Sequence, residues 1–146
     1  MTEQQLIVTL QTAISPVVLI SGIGLLLLSM TNRFGRSTDR ARALLAERHD
    51  SQASERRSID TQIRILFKRS RIMLVAISLA LASILFAALL IAVLFLNIVL
   101  HAPLENVVVA LFVLCLLALI ASIVFFIKDM SLSLQALKKE LGDVVR

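Results

Sequence analysis

Tryptophan and tyrosine are absent from this 146-residue chain, and seven phenylalanines supply every aromatic ring. The amphipathic rings that usually mark both faces of a membrane are therefore missing, so interfacial anchoring falls to charged side chains. A single cysteine, Cys115, excludes an intramolecular disulfide. Its setting, Leu114-Cys115-Leu116-Leu117, reads as that of a small packing or lipid-facing residue. The two histidines, His49 and His101, have no metal-ligand neighbour at usable spacing, so neither a metal nor another cofactor is expected. Charge is scarce as well, at 17% of residues against about 25% in soluble domains. Hydrophobic residues make up 58%. A soluble domain of this size would lack the polar surface to cover itself, which excludes a free-standing soluble enzyme and a disordered tail. The length suits one domain, read as a single membrane domain over 1–146.

The scarcity of charge is local. Three apolar runs carry none, at about 6–30, 72–100 and 107–127. A hydrocarbon core about 30 Å thick needs ~20 helical residues to cross, and lipid leaves no backbone group unpaired except in helices or closed barrels. Transmembrane helices are therefore predicted at about 8–30, 72–100 and 107–127. The first run has no basic residue before it and basic residues directly after it, so it reads as a retained span and not a signal peptide. Without an acid or base inside the runs, proton-coupled transport loses its usual groups, and no inverted repeat is visible.

All fifteen Lys and Arg residues fall on one side of this arrangement: eleven between residues 31 and 71, and four from Lys128 onward. The positive-inside rule puts that side in the cytoplasm, with the N-terminus outside and the C-terminus inside. Orientation thus accounts for the net charge of +5, and no nucleic-acid partner is expected.

Between the first two spans, residues 37–71 read as a cytoplasmic helical hairpin. Gly35 permits a sharp change of direction after the membrane exit. Ser37-Thr38-Asp39 suits a helix start, with Ala41, Leu44 and Leu45 as its apolar stripe. His49 to Ser54 is polar and turn-like. Ser54 or Ser58 then begins a helix bearing Ile59, Ile63, Leu66 and Phe67 on one face, running unbroken into the second span. Asp39 has two readings. It caps a helix beside an Arg-rich flank, or it pairs with arginines such as Arg40, within or between subunits, in a collar that Ile59, Ile63 and Phe67 complete. After the third span, Met130, Leu134, Leu137 and Leu141 predict a terminal amphipathic helix over 129–142, packed on the hairpin, on another subunit or on lipid.

Ser15, Gly22 and Ser29 recur every seven residues on one face of the first helix, and Asn32 and Arg33 continue that face. Two readings stand: a helix-packing seam, or the lining of a central pore with polar rings at its inner mouth. Leu25 and Leu26 interrupt the stripe. The pairs Ala76/Ala80, Ser78/Ala82, Ala88/Ala92 and Ala118/Ser122 suit helix packing. Asn97 reads as an interfacial residue, Pro16 as a kink and Pro103 as the outer turn. Ser21-Gly22-Ile23-Gly24 lacks a base in the other spans, so no catalytic residue and no enzyme activity are expected.

The stretch Ile14-Ser15-Pro16-Val17-Val18-Leu19-Ile20-Ser21-Gly22-Ile23-Gly24-Leu25-Leu26-Leu27-Leu28-Ser29-Met30-Thr31-Asn32-Arg33-Phe34-Gly35-Arg36, followed by Thr38-Asp39-Arg40-Ala41-Arg42, resembles a bacterial family of small membrane proteins catalogued as domain of unknown function 2721. The resemblance covers nearly the whole chain. It implies a three-span protein of the bacterial inner membrane and supplies no activity.

The expected protein is a homo-oligomeric integral membrane protein, an ion channel or pore lined by the first helix above a cytoplasmic collar. The alternative is a non-conducting scaffold or accessory subunit whose basic hairpin binds anionic lipid or an unknown protein partner. Membrane lipid and further copies of the chain are the expected partners.

Overall fold

The computed structural model describes residues 3–50, 52–100 and 104–144. They form three helices: α1 (Glu3–Asp50), α2 (Ala53–Leu100) and α3 (Glu105–Val144). Each contains a stretch long and apolar enough to cross a membrane, with mean hydropathy 1.7, 3.0 and 3.3 in chain order. The helices have 48, 48 and 40 residues. At ~1.5 Å per residue they run about 60–70 Å, roughly twice the thickness of a hydrocarbon core.

The starts of α2 and α3 are closed the same way. The amides of Glu55 and Arg56 both donate to the Gln52 carbonyl, at 3.1 and 3.2 Å. Those of Val107 and Val108 donate to the Leu104 carbonyl, each at 3.0 Å. One carbonyl thus accepts the first ordinary i→i−4 bond and also one amide, Glu55 or Val107, that the helix start would leave without a partner. As predicted, α2 runs unbroken from its basic first half into its apolar run. The proposed outer turn at Pro103, and His101 beside it, lie outside the described residues.

Two expectations give way. The chain does not turn at Gly35, and no new helix begins at Ser37: α1 continues through both, as it does through Pro16. A mid-helix glycine costs only about 1 kcal/mol relative to alanine. Continuity keeps Met30, Ser37 and Leu44 on one face, with Met30 and Leu44 buried and Ser37 half-buried. The Thr38 hydroxyl, expected near a cap, donates to the Phe34 carbonyl one turn back at 3.0 Å. Helix interiors accept such a bond. The tail is likewise no separate helix, since α3 carries on to Val144. Met130 and Leu134 are exposed, while Leu137 and Leu141 have side chains outside the described set.

The chain divides into two units, each with a segment of every helix. The first comprises Met1–Leu28 and Ser78–Ser122. Ile23, Ala80, Ser83, Ala87, Leu90, Cys115 and Ser122 are buried there. Small side chains dominate, as expected where helices must approach closely without a hydrophobic drive between them. Across this interior the Ser83 hydroxyl donates to the Cys115 carbonyl at 2.9 Å, and the Cys115 thiol donates to the Ser83 carbonyl at 3.3 Å. The pair is reciprocal, so neither hydroxyl nor thiol is left unsatisfied away from water. Of the predicted packing pairs, Ala76/Ala80 is buried and Ser122 is buried beside half-buried Ala118, whereas Ala88 and Ala92 are exposed.

The second unit comprises Ser29–Ile77 and Ile123–Arg146. Met30, Leu44, Ile59, Met73 and Ala76 are its buried apolar side chains. Near the α1–α2 link, Arg48 grips Asp60 with Nε–Oδ1 2.6 Å and Nη2–Oδ2 3.4 Å, both side chains about half exposed. At such exposure the pair contributes at most about 1 kcal/mol and serves mainly to fix register.

Within each helix the buried positions repeat every seven residues. In α1 they are Pro16, Ile23, Met30 and Leu44; in α2 Ile59, Met73, Ala80 and Ala87, with Ala76, Ser83 and Leu90 as a second set; in α3 Cys115, Ser122 and Asp129. Seven is the period of left-handed knobs-into-holes packing.

Two substitutions check this description. A Cβ built on Gly35 meets nothing within 4 Å. Gly35→Ala should therefore raise thermal stability in detergent, by up to about 1 kcal/mol, where a tight turn would lose stability. Ala80 is fully buried. Ala80→Leu should overpack its interior and cost about 1–3 kcal/mol in the same melt.

Candidate functional site

Each uncharged run ends within three residues of a charge that turns inward: Met30 before Arg33, Ile72 after Arg69, and Ile127 before Asp129. These three residues, one per helix, meet in the second unit. Asp129 is the most deeply buried charged residue described, with 3% of its side chain exposed. Arg33 Nη2 donates to Asp129 Oδ2 at 3.4 Å. Arg69 Nε stands 3.6 Å from Asp129 Oδ1, too far for a hydrogen bond. Neither Arg69 Nε nor Asp129 Oδ1 has a hydrogen-bond partner. The Arg33 guanidinium also lies over the Phe126 ring, 5.7 Å from its centroid. A guanidinium on an aromatic face gains about 0.5–2 kcal/mol, depending on desolvation.

The local sequence explains the geometry. Asp129 follows Cys115 and Ser122 at seven-residue steps, so continuing the buried register of α3 carries a carboxylate inward. An isolated buried carboxylate would cost several kcal/mol. Two guanidiniums answer it, and they keep some contact with water, at 26% exposure for Arg33 and 17% for Arg69. The cluster carries a net charge of +1. Its chemistry is that of a polar tie: it can fix the rotation of three helices at one level. Among the described residues no three His, Cys, Asp or Glu side chains gather as a metal site would require.

The residues singled out from sequence are scattered differently. Gly22, Ser29 and Asn32 are exposed on α1. A Cβ on Gly22 would meet nothing within 4 Å, so Gly22 makes no close helix contact inside the chain. The side chain of Ser15 lies outside the described set. Arg33 does not share the open face of Asn32, because Asp129 draws it inward. Asp39 and Arg40 are exposed, and Asp39 makes no ion pair among the described residues. The acids that meet arginine among the described residues include Asp129, on Arg33 and Arg69, and Asp60, on Arg48. Ile59 is buried and Ile63 half-buried, but Phe67 points outward with 73% exposure. Asn97 is half-buried.

Sequence reading passed over Asp129, Arg69, Phe126 and Ser83. The sequence reading takes residue 129 only as the first position of the tail helix over 129–142 and gives Asp129 no role. The available signal is its place two seven-residue steps from Cys115, through Ser122, which separates it from exposed Lys128.

Removing Asp129 leaves two guanidiniums without their shared counter-charge, whereas removing either arginine leaves the carboxylate one partner. Asp129→Asn should therefore lower stability most. Breaking a buried pair costs about 3–5 kcal/mol, and the partial exposure of both arginines brings the expectation to about 2–3 kcal/mol. Arg33→Gln should cost more than Arg69→Gln, because Arg33 also loses Phe126. Thermal melts of the three variants in one detergent test this order; equal losses would show that the cluster does not act as described.

No curated protein and no solved structure matches this chain. One family model does, over residues 13–139, a span that includes both arginines and the buried aspartate. The chain belongs to the family described as protein of unknown function (DUF2721).

Proposed function

We propose that this is a homo-oligomeric membrane protein in which α1 packs against α1 of other copies and lines a path through the assembly. One observation carries the reading: α1 has a second heptad seam, exposed among the described residues. Val18, Gly22, Leu25, Ser29, Asn32 and Arg36 follow alternating steps of four and three, and all six are exposed. Val18 and Leu25 are among the most exposed large side chains, at 64% and 72%. The seam stands one position from the buried register of Pro16, Ile23 and Met30. Leu25, an interruption of the bare Ser15/Gly22/Ser29 repeat, is its regular intermediate position.

The other helices present a different surface. Over residues 107–127, every exposed side chain of α3 is apolar, and over 72–97 of α2 Ser78 is the one exposed polar side chain. Those surfaces suit lipid. The glycine, serine and asparagine of α1 gain little from lipid and suit close helix contact or water. With the basic segments in the cytoplasm, Asn32 and Arg36 would ring the inner mouth, and Arg36 would disfavour cations there. Arg33 is engaged by Asp129 and takes no part in the ring.

Cross-linking tests the assembly. Cys115 is buried, and in a Cys115→Ala background Ser29→Cys should form disulfide-linked copies on mild oxidation. Leu85→Cys and Val113→Cys, on the apolar faces, should not. Conduction is tested by ion flux into vesicles: Gly22→Leu should abolish it while oligomers persist. Cross-linked oligomers without flux in the unaltered protein would leave the non-conducting scaffold as the function.

A further inference from the structure

We infer that the basic end of α2 presents a docking surface for the headgroup of an anionic phospholipid. The residues lie on adjacent stripes of one exposed helix face. Arg64, Phe67, Arg71 and Leu74 follow steps of three, four and three, with Ile65, Lys68 and Val75 beside them. All seven are exposed, and Phe67 is 73% exposed, more than any other large apolar side chain described. Three cations and an open aromatic ring thus stand on one surface that the chain leaves uncovered.

Charge and level together select the occupant. Within Ile63–Val75 the chain has no acid. The nearest acid on the same face, Asp60, is held by Arg48 at 2.6 Å. Along α2 the surface is therefore cationic where a ligand would meet it. Arg71 directly precedes the uncharged run that begins at Ile72. Arg71 and Lys68 lie about 4.5 Å apart along the helix axis, within one headgroup layer of roughly 5–7 Å. Arg64 is about 10 Å below Arg71 and reaches up through its flexible stem. Above the cations the same face continues as exposed Leu74 and Val75. Cations followed by aliphatic side chains match a phosphate followed by acyl chains. An acidic soluble protein could meet the arginines but could not follow the surface onto Leu74 and Val75. Phe67, between Arg64 and Arg71, supplies apolar contact at the boundary in a chain that has no tryptophan or tyrosine to do so.

The inference rests on the membrane assignment and not on the α1 path, so it survives the loss of that reading. It is tested on the full chain in detergent with equal amounts of phosphatidylglycerol and phosphatidylcholine, counting retained lipids by native mass spectrometry. The unaltered protein should retain phosphatidylglycerol in preference. Lys68→Gln with Arg71→Gln should reduce that preference about fivefold per cation removed. Arg42→Gln with Arg57→Gln, an equal loss of exposed charge farther from the apolar runs, should leave it within about twofold. Lys68→Arg with Arg71→Lys should keep it, which separates loss of charge from damage to the fold. No preference in the unaltered protein would overturn the proposal, and so would equal losses in the two neutralised pairs. Capture of an acidic protein by this face, with no lipid preference, would also overturn it.

Discussion

A carboxylate buried where three apolar helices give way to basic segments constrains the second unit of this protein. Burying a carboxylate is costly unless it is paired, and its counter-charges here come from side chains of the other two helices. Arg33 and Arg69 therefore restrict the rotation of α1 and α2 about their own axes to the range from which a guanidinium reaches the carboxylate. Apolar packing alone would be more permissive, because one aliphatic side chain can replace another with modest loss. The long contacts, 3.4 and 3.6 Å, show a tie by charge more than by ideal hydrogen bonds.

The first unit solves the same problem without charge. Ser83 and Cys115 exchange bonds with each other's carbonyls, and alanines at neighbouring register positions let the backbones come close enough for that exchange. Both solutions join α3 to a neighbour at its buried seven-residue positions, 115 in one case and 129 in the other. The register is shared along the helix while the chemistry changes from neutral to ionic. That change follows the composition of the flanking chain, uncharged up to Ile127 and charged from Lys128.

Much of this was legible in the sequence. Three uncharged runs of sufficient length dictate three helices, and the family membership follows the first helix and its arginine-rich exit. The continuity of the helices was harder to read. Gly35 and the Ser37-Thr38-Asp39 stretch have the local chemistry of a break, yet backbone bonding and the Met30–Leu44 register outweigh one glycine. Ser15, Gly22 and Ser29 were found through the right period, but a stripe one residue away, Pro16, Ile23 and Met30, is the buried one. Period is visible in a single sequence; which of two adjacent stripes faces inward depends on what the other helices offer. Asp129 was missed for a related reason, since its partners lie 96 and 60 positions earlier in the chain and no local spacing points to them.

The order of synthesis gives the buried aspartate another significance. Arg33 and Arg69 are both made before α3, and they converge on one place. Until residue 129 is made, neither arginine has the counter-charge that it meets in the finished chain, and the third helix supplies it. The counter-charge that ties α1 and α2 at this level is thus the last of the three charges in the order of the chain.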